Sequence, residues 1–297
     1  MVRGGEYIAE ELNKKALQFI EENQDEPFFL YLPHFIPHSP FEAPISLVEK
    51  YLKKRPVMGH YHAKYAAMIE ALDNSVGKVM KKLDELGLTK DTMLIFTSDN
   101  GGMGGYIDQG IKGMPRLEPL EEESRVEITH NAPLRGGKGQ YYEGGIRVPL
   151  IIRWPGVIKA GTKTAEPVIT IDFYPTLIEL TGTKISNKQI LDGVSLLPLL
   201  QNPEVSLSRD ALYWHFPGYL QTRQPGSWRT TPVGVIRDGD WKLIQFFEEN
   251  TIELYNLADD IGEHYNLADI YKDKSHELLK KLESWRRELD APMPRPK

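Results

Sequence analysis

The chain has 297 residues, 26% of them charged and 40% hydrophobic, with a formal net charge of −6 and no cysteine. This is the composition of a globular protein large enough to bury a full core. It excludes disulfides and thiolate metal centres. It also argues against nucleic acid as a partner, since a phosphate-tracking surface needs a basic excess, and no apolar run approaches the ~18 residues of a membrane span.

Tyr7 to Glu22 places Ile8, Leu12, Phe19 and Ile20 on one helical face, which predicts a first helix ended by Asn23–Pro27. "FFLYL", Phe28 to Leu32, is a short, continuous apolar run and predicts a buried strand. It leads into "PHFIPHSPFEAP", which carries His34 and His38 and whose four prolines forbid regular structure. From His62 to Leu86, Tyr65, Met68, Ile69, Leu72, Val76, Val79 and Leu83 recur at steps of three and four. That predicts the clearest helix of the chain, with Gly87 as its C-cap. "TMLIFTS" then predicts a second buried strand. Helix between strands suggests a crossover unit and a largely parallel sheet.

The second strand runs straight into Ser98-Asp99-Asn100-Gly101-Gly102. Ligands of open α/β sheets bind just beyond the carboxyl ends of strands, and glycines let the backbone approach closely. The oxygen-bearing side chains of Asp99 and Asn100 suit a hard cation such as Ca²⁺ or Mg²⁺. An Asx turn at the start of the next element accounts for the same two residues without a ligand.

Gly101 to Gly145 is long, irregular and glycine-rich, with the acidic stretch Glu118–Glu127 inside it. It closes on "LRGGKGQYYEGG". There Lys138 reads either as a cation aimed into an anion pocket or as part of a solvated turn. The spacing is not that of a Walker loop. Arg147–Gly156 predicts a third strand-like run, and "DFYPTLIELTG" a helix from Asp172, as N-cap, to Gly182. "LDGVSLLPLL" is an apolar connector. After about Gln201 the character changes. "RDALYWHFP", "TPVGVIRDGDWKLIQFF" and "TIELYNL" predict short strands, with a hairpin turn at Asp238-Gly239. A last helix puts Leu278, Leu279, Leu282 and Trp285 on one side. The division predicted is an α/β part over residues 1–200 and a small antiparallel α+β subdomain over 201–297.

Taken in order, "PFFLYLPHFIPHSP", "FTSDNGG", "PLRGGKGQYYEGGIRVPLIIRWPG", "DFYPTLIELTG", "LDGVSLLPLL" and "WKLIQ…ELYNLADDIGEHYNLA" resemble the sulfatase family of the alkaline-phosphatase-like superfamily. The resemblance covers nearly the whole chain. It implies a mixed, mainly parallel sheet flanked by helices, followed by the small antiparallel subdomain. It implies that Asp99 and Asn100 are metal ligands, normally for calcium. It implies that Lys138 contacts the sulfate and that His38 stands near the leaving-group oxygen, so that both act in catalysis and substrate binding. His34, Asp73 and Asp172 are read as structural. The chemistry is consistent with these roles. A dication and a lysine stabilise charge that grows on the leaving oxygen more in the transition state than before it, and a histidine can donate a proton there.

The same resemblance exposes what this sequence does not contain. The family's nucleophile is a formylglycine made from the first residue of Cys/Ser-x-Pro-x-Arg, and no such motif occurs here. The family's early Asp-Asp pair is matched only by Asp259-Asp260, far along the chain. The resemblance therefore implies the C-terminal portion of a sulfatase, with the nucleophile and half of the metal shell upstream. Alone it should bind Ca²⁺ weakly, turn over no sulfate ester, and leave an exposed sheet edge and apolar surface. Its substrate would be a sulfated glycan or an aryl sulfate, with His215, Arg223 and Arg229 of "YWHFPGYLQTRQPGSWR" as candidate glycan contacts, a segment that reads equally as a hairpin packing the subdomain on the main sheet. A catalytically inert remnant or binding module, and a superfamily phosphodiesterase or phosphonate hydrolase, are the alternatives. "MVRGGEYIAEEL" lacks the apolar stretch of a secretion leader. The compartment is therefore not legible here, although intact relatives are typically periplasmic, extracellular or lysosomal.

Overall fold

The computed structural model describes residues 7–60, 62–103, 128–186, 189–221 and 228–295. They divide into two compact units. The first takes in described residues of 1–96, 119–130 and 150–160, the second those of 97–118, 131–149 and 161–297. The acidic stretch Glu118–Glu127 and Arg223 lie outside the described residues. Among the described residues no helix is long and apolar enough to cross a membrane.

In the first unit, α1 (Ile8–Glu22) and α2 (Ile45–Leu52) both pack on α3 (Ala63–Glu85). The predicted first and third helices form where their periodicity placed them. His62 caps α3, its Nδ1 accepting the Tyr65 N–H at 3.0 Å, and Gly87 closes it with φ 72°. Helix α2 has no counterpart among the predicted elements, although Leu47, Val48 and Tyr51 recur at helical spacing and lie half-buried. Ala9, Ile36 and Met68 form the buried centre of this unit. His34 is structural here, as expected. Its Nε2 lies 2.8 Å from Ser75 Oγ, which also accepts from Asn13 Nδ2 at 2.7 Å.

β1 (Leu94–Thr97) and β2 (Leu150–Arg153) make a two-stranded sheet. Phe28–Leu32, predicted as a buried strand, joins no ladder among the described residues. Phe29 is 71% and Tyr31 76% exposed. Apolar composition marks a segment for burial, but a strand also needs a neighbour for its backbone amides. That neighbour is not among the described residues, so the broad parallel sheet expected around this run is reduced to β1 and β2.

The second unit contains the predicted antiparallel subdomain. β3 (Leu212–Phe216), β6 (Val233–Asp238), β7 (Trp241–Phe246) and β8 (Thr251–Asn256) lie in the order β3-β6-β7-β8, all antiparallel. β4 (Leu220–Gln221) and β5 (Trp228–Thr230) form a separate short ribbon. Asp238 pairs with Trp241, so the hairpin residues are Gly239 and Asp240, one position beyond the predicted pair, with the positive φ of 59° on Gly239.

Both faces of this sheet are covered, and the alternation of the strands shows how. Ile236, Leu243 and Leu254 meet Leu278 and Leu282 of α7 (Lys272–Glu288). Val233, Val235, Ile244 and Tyr255 meet Tyr142, just ahead of the single turn α4 (Glu143–Ile146). Elsewhere in the unit, α5 (Phe173–Thr181) ends at Gly182 with φ 63°, as predicted, and α6 (Leu197–Gln201) occupies the apolar connector. Asp172 stands at the N-cap position of α5, but its side chain does not cap that helix. The fully buried carboxylate instead accepts from the Ile169 and Val194 N–H groups and pairs with Arg209 at 2.7 and 3.0 Å.

Candidate active site

β1 delivers the chain to Asp99, and the residues after it are locked to the glycine-rich loop by main-chain bonds. Gly101 N–H donates to Gly145 O at 2.9 Å, and Lys138 N–H donates to Gly102 O at 2.9 Å. Asn131 Nδ2 donates to both Gly102 O and Gly136 O, and Gly144 N–H donates to Arg135 O at 2.7 Å. Asp99, Asn100 and Lys138 thus belong to one hydrogen-bonded frame within the second unit. The glycines explain how the frame closes. A Cβ on Gly101 would lie 1.8 Å from Gly144 O, and one on Gly145 would lie 2.0 Å from Gln140 O. Only bare backbone fits at either place.

Asp99 is exposed and Asn100 half-buried. Asp99 Oδ1 accepts the Asn100 N–H, and Ser98 Oγ donates to Asn100 O, so local turn bonding coexists with the ligand reading. The Asn100 side-chain nitrogen donates to Gly101 O, which leaves its side-chain oxygen as the acceptor end. One carboxylate and one amide oxygen match the hard-donor chemistry of Ca²⁺, but a full shell takes about 6–8 oxygens. Among the described residues no cluster of three or more acidic, histidine or cysteine side chains gathers to complete it. The residues therefore fit calcium in kind and fall short in number.

His38 is not part of this frame. It belongs to the first unit, is exposed, and has Nδ1 2.7 Å from Ser39 O. His215 has Nε2 2.7 Å from Pro292 O and its ring beside Phe247, so one ring nitrogen is already engaged with the chain's own tail. Arg229, on β5, lies close to the frame. A Cβ on Gly139 would meet Leu220 Cδ2 at 2.4 Å and Arg229 Cδ at 3.3 Å.

Beneath the loop lies a set of charges that the sequence reading passed over. Lys242 is fully buried on β7, with Nζ 2.9 Å from Glu143 Oε1 and 2.8 Å from Glu263 Oε1. Glu263 Oε2 accepts the Glu143 N–H at 2.6 Å, and Arg147 Nε donates to Glu143 Oε2 at 2.7 Å. Burial pushes the Glu263 carboxyl above its ordinary pKa. Burial acts on Glu143 in the same sense, but Lys242 and Arg147 outweigh it and hold that carboxyl low. Alongside, the Arg135 guanidinium lies 3.9 Å from the centre of the Tyr142 ring and donates to Tyr255 Oη and Glu263 O. Tyr142 and Tyr255 both donate to Glu253 Oε2 at 2.8 Å, and burial raises both phenols. The signal in the sequence was a lysine inside the apolar strand "WKLI".

A protein-family model described as Sulfatase matches residues 2–183. This chain belongs to the sulfatase family. A second model, N-sulphoglucosamine sulphohydrolase, C-terminal, matches residues 137–290 of the sulfatase chain. It is 34% identical to a sulfatase of Formosa agariphila over 96% of this chain and 51% of that protein. To human steryl-sulfatase it is 32% identical over 72% of this chain and 33% of that protein. The sulfatase chain thus spans about half or less of the length of these relatives. Among solved structures, Ps i-CgsB superimposes with a TM-score of 0.76 at 27% identity, over 96% of this chain and 56% of that one. The same protein has been solved in complex with k-i-k-neocarrahexaose (TM-score 0.74, 28% identity). BT4656 in complex with its substrate D-glucosamine-2-N,6-O-disulfate gives a TM-score of 0.59 at 26% identity, over 79% of this chain and 42% of that one. These neighbours give the chain the α/β, alkaline-phosphatase-like fold, with the antiparallel subdomain appended.

Proposed function

We propose that this chain is the portion of a sulfuric ester hydrolase that holds half of the metal shell and the sulfate-binding lysine. The observation that carries the reading is the frame itself, in which the Gly101–Gly145 and Lys138–Gly102 bonds join an oxygen-donor pair to a cationic loop. Asp99 and Asn100 would hold calcium together with donors from outside this chain. Bound there, the cation would offset negative charge on the sulfate oxygens. Lys138 binds and orients the sulfate. His38 donates a proton to the leaving oxygen, an effect worth about 10²–10⁴-fold where geometry allows. The formylglycine nucleophile is not encoded in these 297 residues and would come from a sulfatase N-terminal segment. Phe28–Leu32, apolar and unladdered, is the edge on which such a segment's strands would pair.

A sulfated glycan is the preferred substrate class. Two of the similar structures hold k-i-k-neocarrahexaose and D-glucosamine-2-N,6-O-disulfate. Arg229 also lies beside Gly139, next in sequence to Lys138. The test is turnover of a chromogenic sulfate ester and a sulfated oligosaccharide, by the pure chain and by the chain reconstituted with a polypeptide carrying the N-terminal sulfatase strands. Expected are no turnover by the chain alone, sulfate-ester turnover in preference to phosphate-ester turnover after reconstitution, and loss of activity in Asp99→Ala and Lys138→Ala. Turnover by the pure chain would overturn the division of labour, and full activity of either variant would overturn the site.

A further inference from the structure

We propose that Glu143, Lys242 and Glu263 are positioning residues, through which the C-terminal sheet sets the place of the Lys138 loop against Gly101 and Gly102. This rests on the sulfatase reading of Lys138 but is argued from a different set of contacts. All three side chains are at most 2% exposed, and Lys242 and Glu263 are fully buried. Isolated ions resist burial strongly, and replacing a buried ion cluster with apolar groups of the same volume is often neutral or stabilising. Stability alone is therefore a poor account of three charges in this core. Geometry is a better one, because each group fixes another at a defined atom. Lys242 bridges the two carboxylates from β7, and Glu263 also accepts the Glu143 main-chain N–H.

The consequence follows along the backbone. Once Glu143 is fixed, Gly144 N–H reaches Arg135 O and Gly145 O receives Gly101 N–H. One residue further on, Gly102 O receives Lys138 N–H. The span from Glu143 to the residues that follow Asp99 and Asn100 is thus two hydrogen bonds and a few glycines, none with a side chain to hold it. Tyr142 packs the loop on Val235 and Ile244, and the charges beneath fix the main chain at the next residue, Glu143. Arg147 and Arg237 lie on the far side of Glu143, at 2.7 and 3.9 Å from Oε2, and complete its surroundings.

Hydrogen exchange on the full chain, wild type against Glu263→Gln, tests this. Glutamine keeps the size but cannot accept from both Lys242 and the Glu143 N–H while finding an acceptor for its own amide. Loss of one charge-assisted bond predicts about tenfold faster exchange at the Gly101 and Lys138 amides. The Val235 and Ile244 amides, on the two inner strands of the sheet, should change by less than about twofold, since their ladder is untouched. Lys242→Met should fold poorly, and adding Glu263→Gln to it should recover part of the loss. Equal acceleration in sheet and loop, or none in the loop, would overturn the positioning role and leave a purely structural one. A second arm titrates inorganic sulfate while following the Lys138 amide resonance. Weaker response in Glu263→Gln is expected, and an unaltered response would count against the inference. If wild type gives no sulfate response, the reading of Lys138 fails, while the exchange result still decides the positioning.

Discussion

Gly101→Ala is the sharpest test of the frame. The added methyl would lie 1.8 Å from Gly144 O, 2.8 Å from its carbonyl carbon and 3.1 Å from Gly145 Cα. Carbon and oxygen approach comfortably only to about 3.3 Å, so one strand of backbone must retreat by about 1.5 Å. No flexible side chain can yield instead, because every atom met is main chain. The retreat breaks the Gly101–Gly145 bond and strains the Lys138–Gly102 bond, both 2.9 Å. Two such bonds contribute about 0.5–1.5 kcal/mol each, and overpacking adds about 1–3 kcal/mol. A loss of about 2–6 kcal/mol follows, read as a lower urea midpoint by the fluorescence of Trp214, Trp241 and Trp285. Loss below about 0.5 kcal/mol, the level of an ordinary surface change, would refute the close approach that the frame depends on.

Other substitutions probe the surrounding structure. Leu282→Ala, at a fully buried position between α7 and the sheet, should cost about 2–5 kcal/mol in chemical denaturation. Gly77→Ala, in α3 where nothing lies within 4 Å of the new methyl, should stabilise by about 0.5–1 kcal/mol. Burial holds His34 below its ordinary pKa, so folding favours the neutral ring. Its contribution is fully present above about pH 6.5 and is lost as pH falls from there through the depressed folded value. Melting temperatures from pH 7.5 to 4.5 should fall less steeply in His34→Gln, and parallel curves would contradict the assignment. Tyr31→Lys, on the exposed face of the unladdered run, should leave the melting temperature of the chain within about 2 °C, raise its solubility, and block reconstitution. Unimpaired reconstitution would remove Phe28–Leu32 as the pairing edge.

What was legible in the sequence was what repeats along it. The periodicity of α7 and the alternation of β6 to β8 state which face is buried, and the structure follows them, whereas α1 buries Ala9, Asn13, Ala16 and Ile20 and α3 buries Ala67, Met68, Ser75 and Leu83, faces that the apolar spacing marks only in part. Helix α2 carries a stripe of Leu47, Val48 and Tyr51, but at eight residues directly after a proline-rich run it is too short to stand out from a loop. Phe28–Leu32 is apolar, but strand formation depends on a neighbour that composition does not reveal, and no ladder forms there among the described residues. Within the site, Asp99-Asn100 and Lys138 were found through order and residue type. Their joining through Gly101, Gly102 and Gly145 could not be read, because main-chain bonds leave no trace in side-chain pattern beyond the glycines themselves. Asp172 shows the opposite error. Its place before a helix suggested a cap, whereas total burial sends its carboxylate to Arg209 and two backbone amides.

Lys242 shows how the misreadings and the site connect. A lysine in an apolar strand looks like an interruption of the pattern, to be discounted as an edge or a solvent-facing position. Register forbids that here. Lys242 pairs with Arg237 and Tyr255 in neighbouring strands, on the face that Val235 and Ile244 press against Tyr142. A charge on that face can exist only if the loop covering it brings opposite charge, and the loop does so with Glu143, seven positions after Gly136 and five after Lys138. Loop and strand therefore constrain each other. The subdomain requires the loop's carboxylate to neutralise its lysine, and the loop requires the subdomain's lysine to hold its glycines in place. A chain in which the antiparallel sheet merely decorated the α/β part would have no use for such mutual dependence, which is why the sheet belongs to the account of the site.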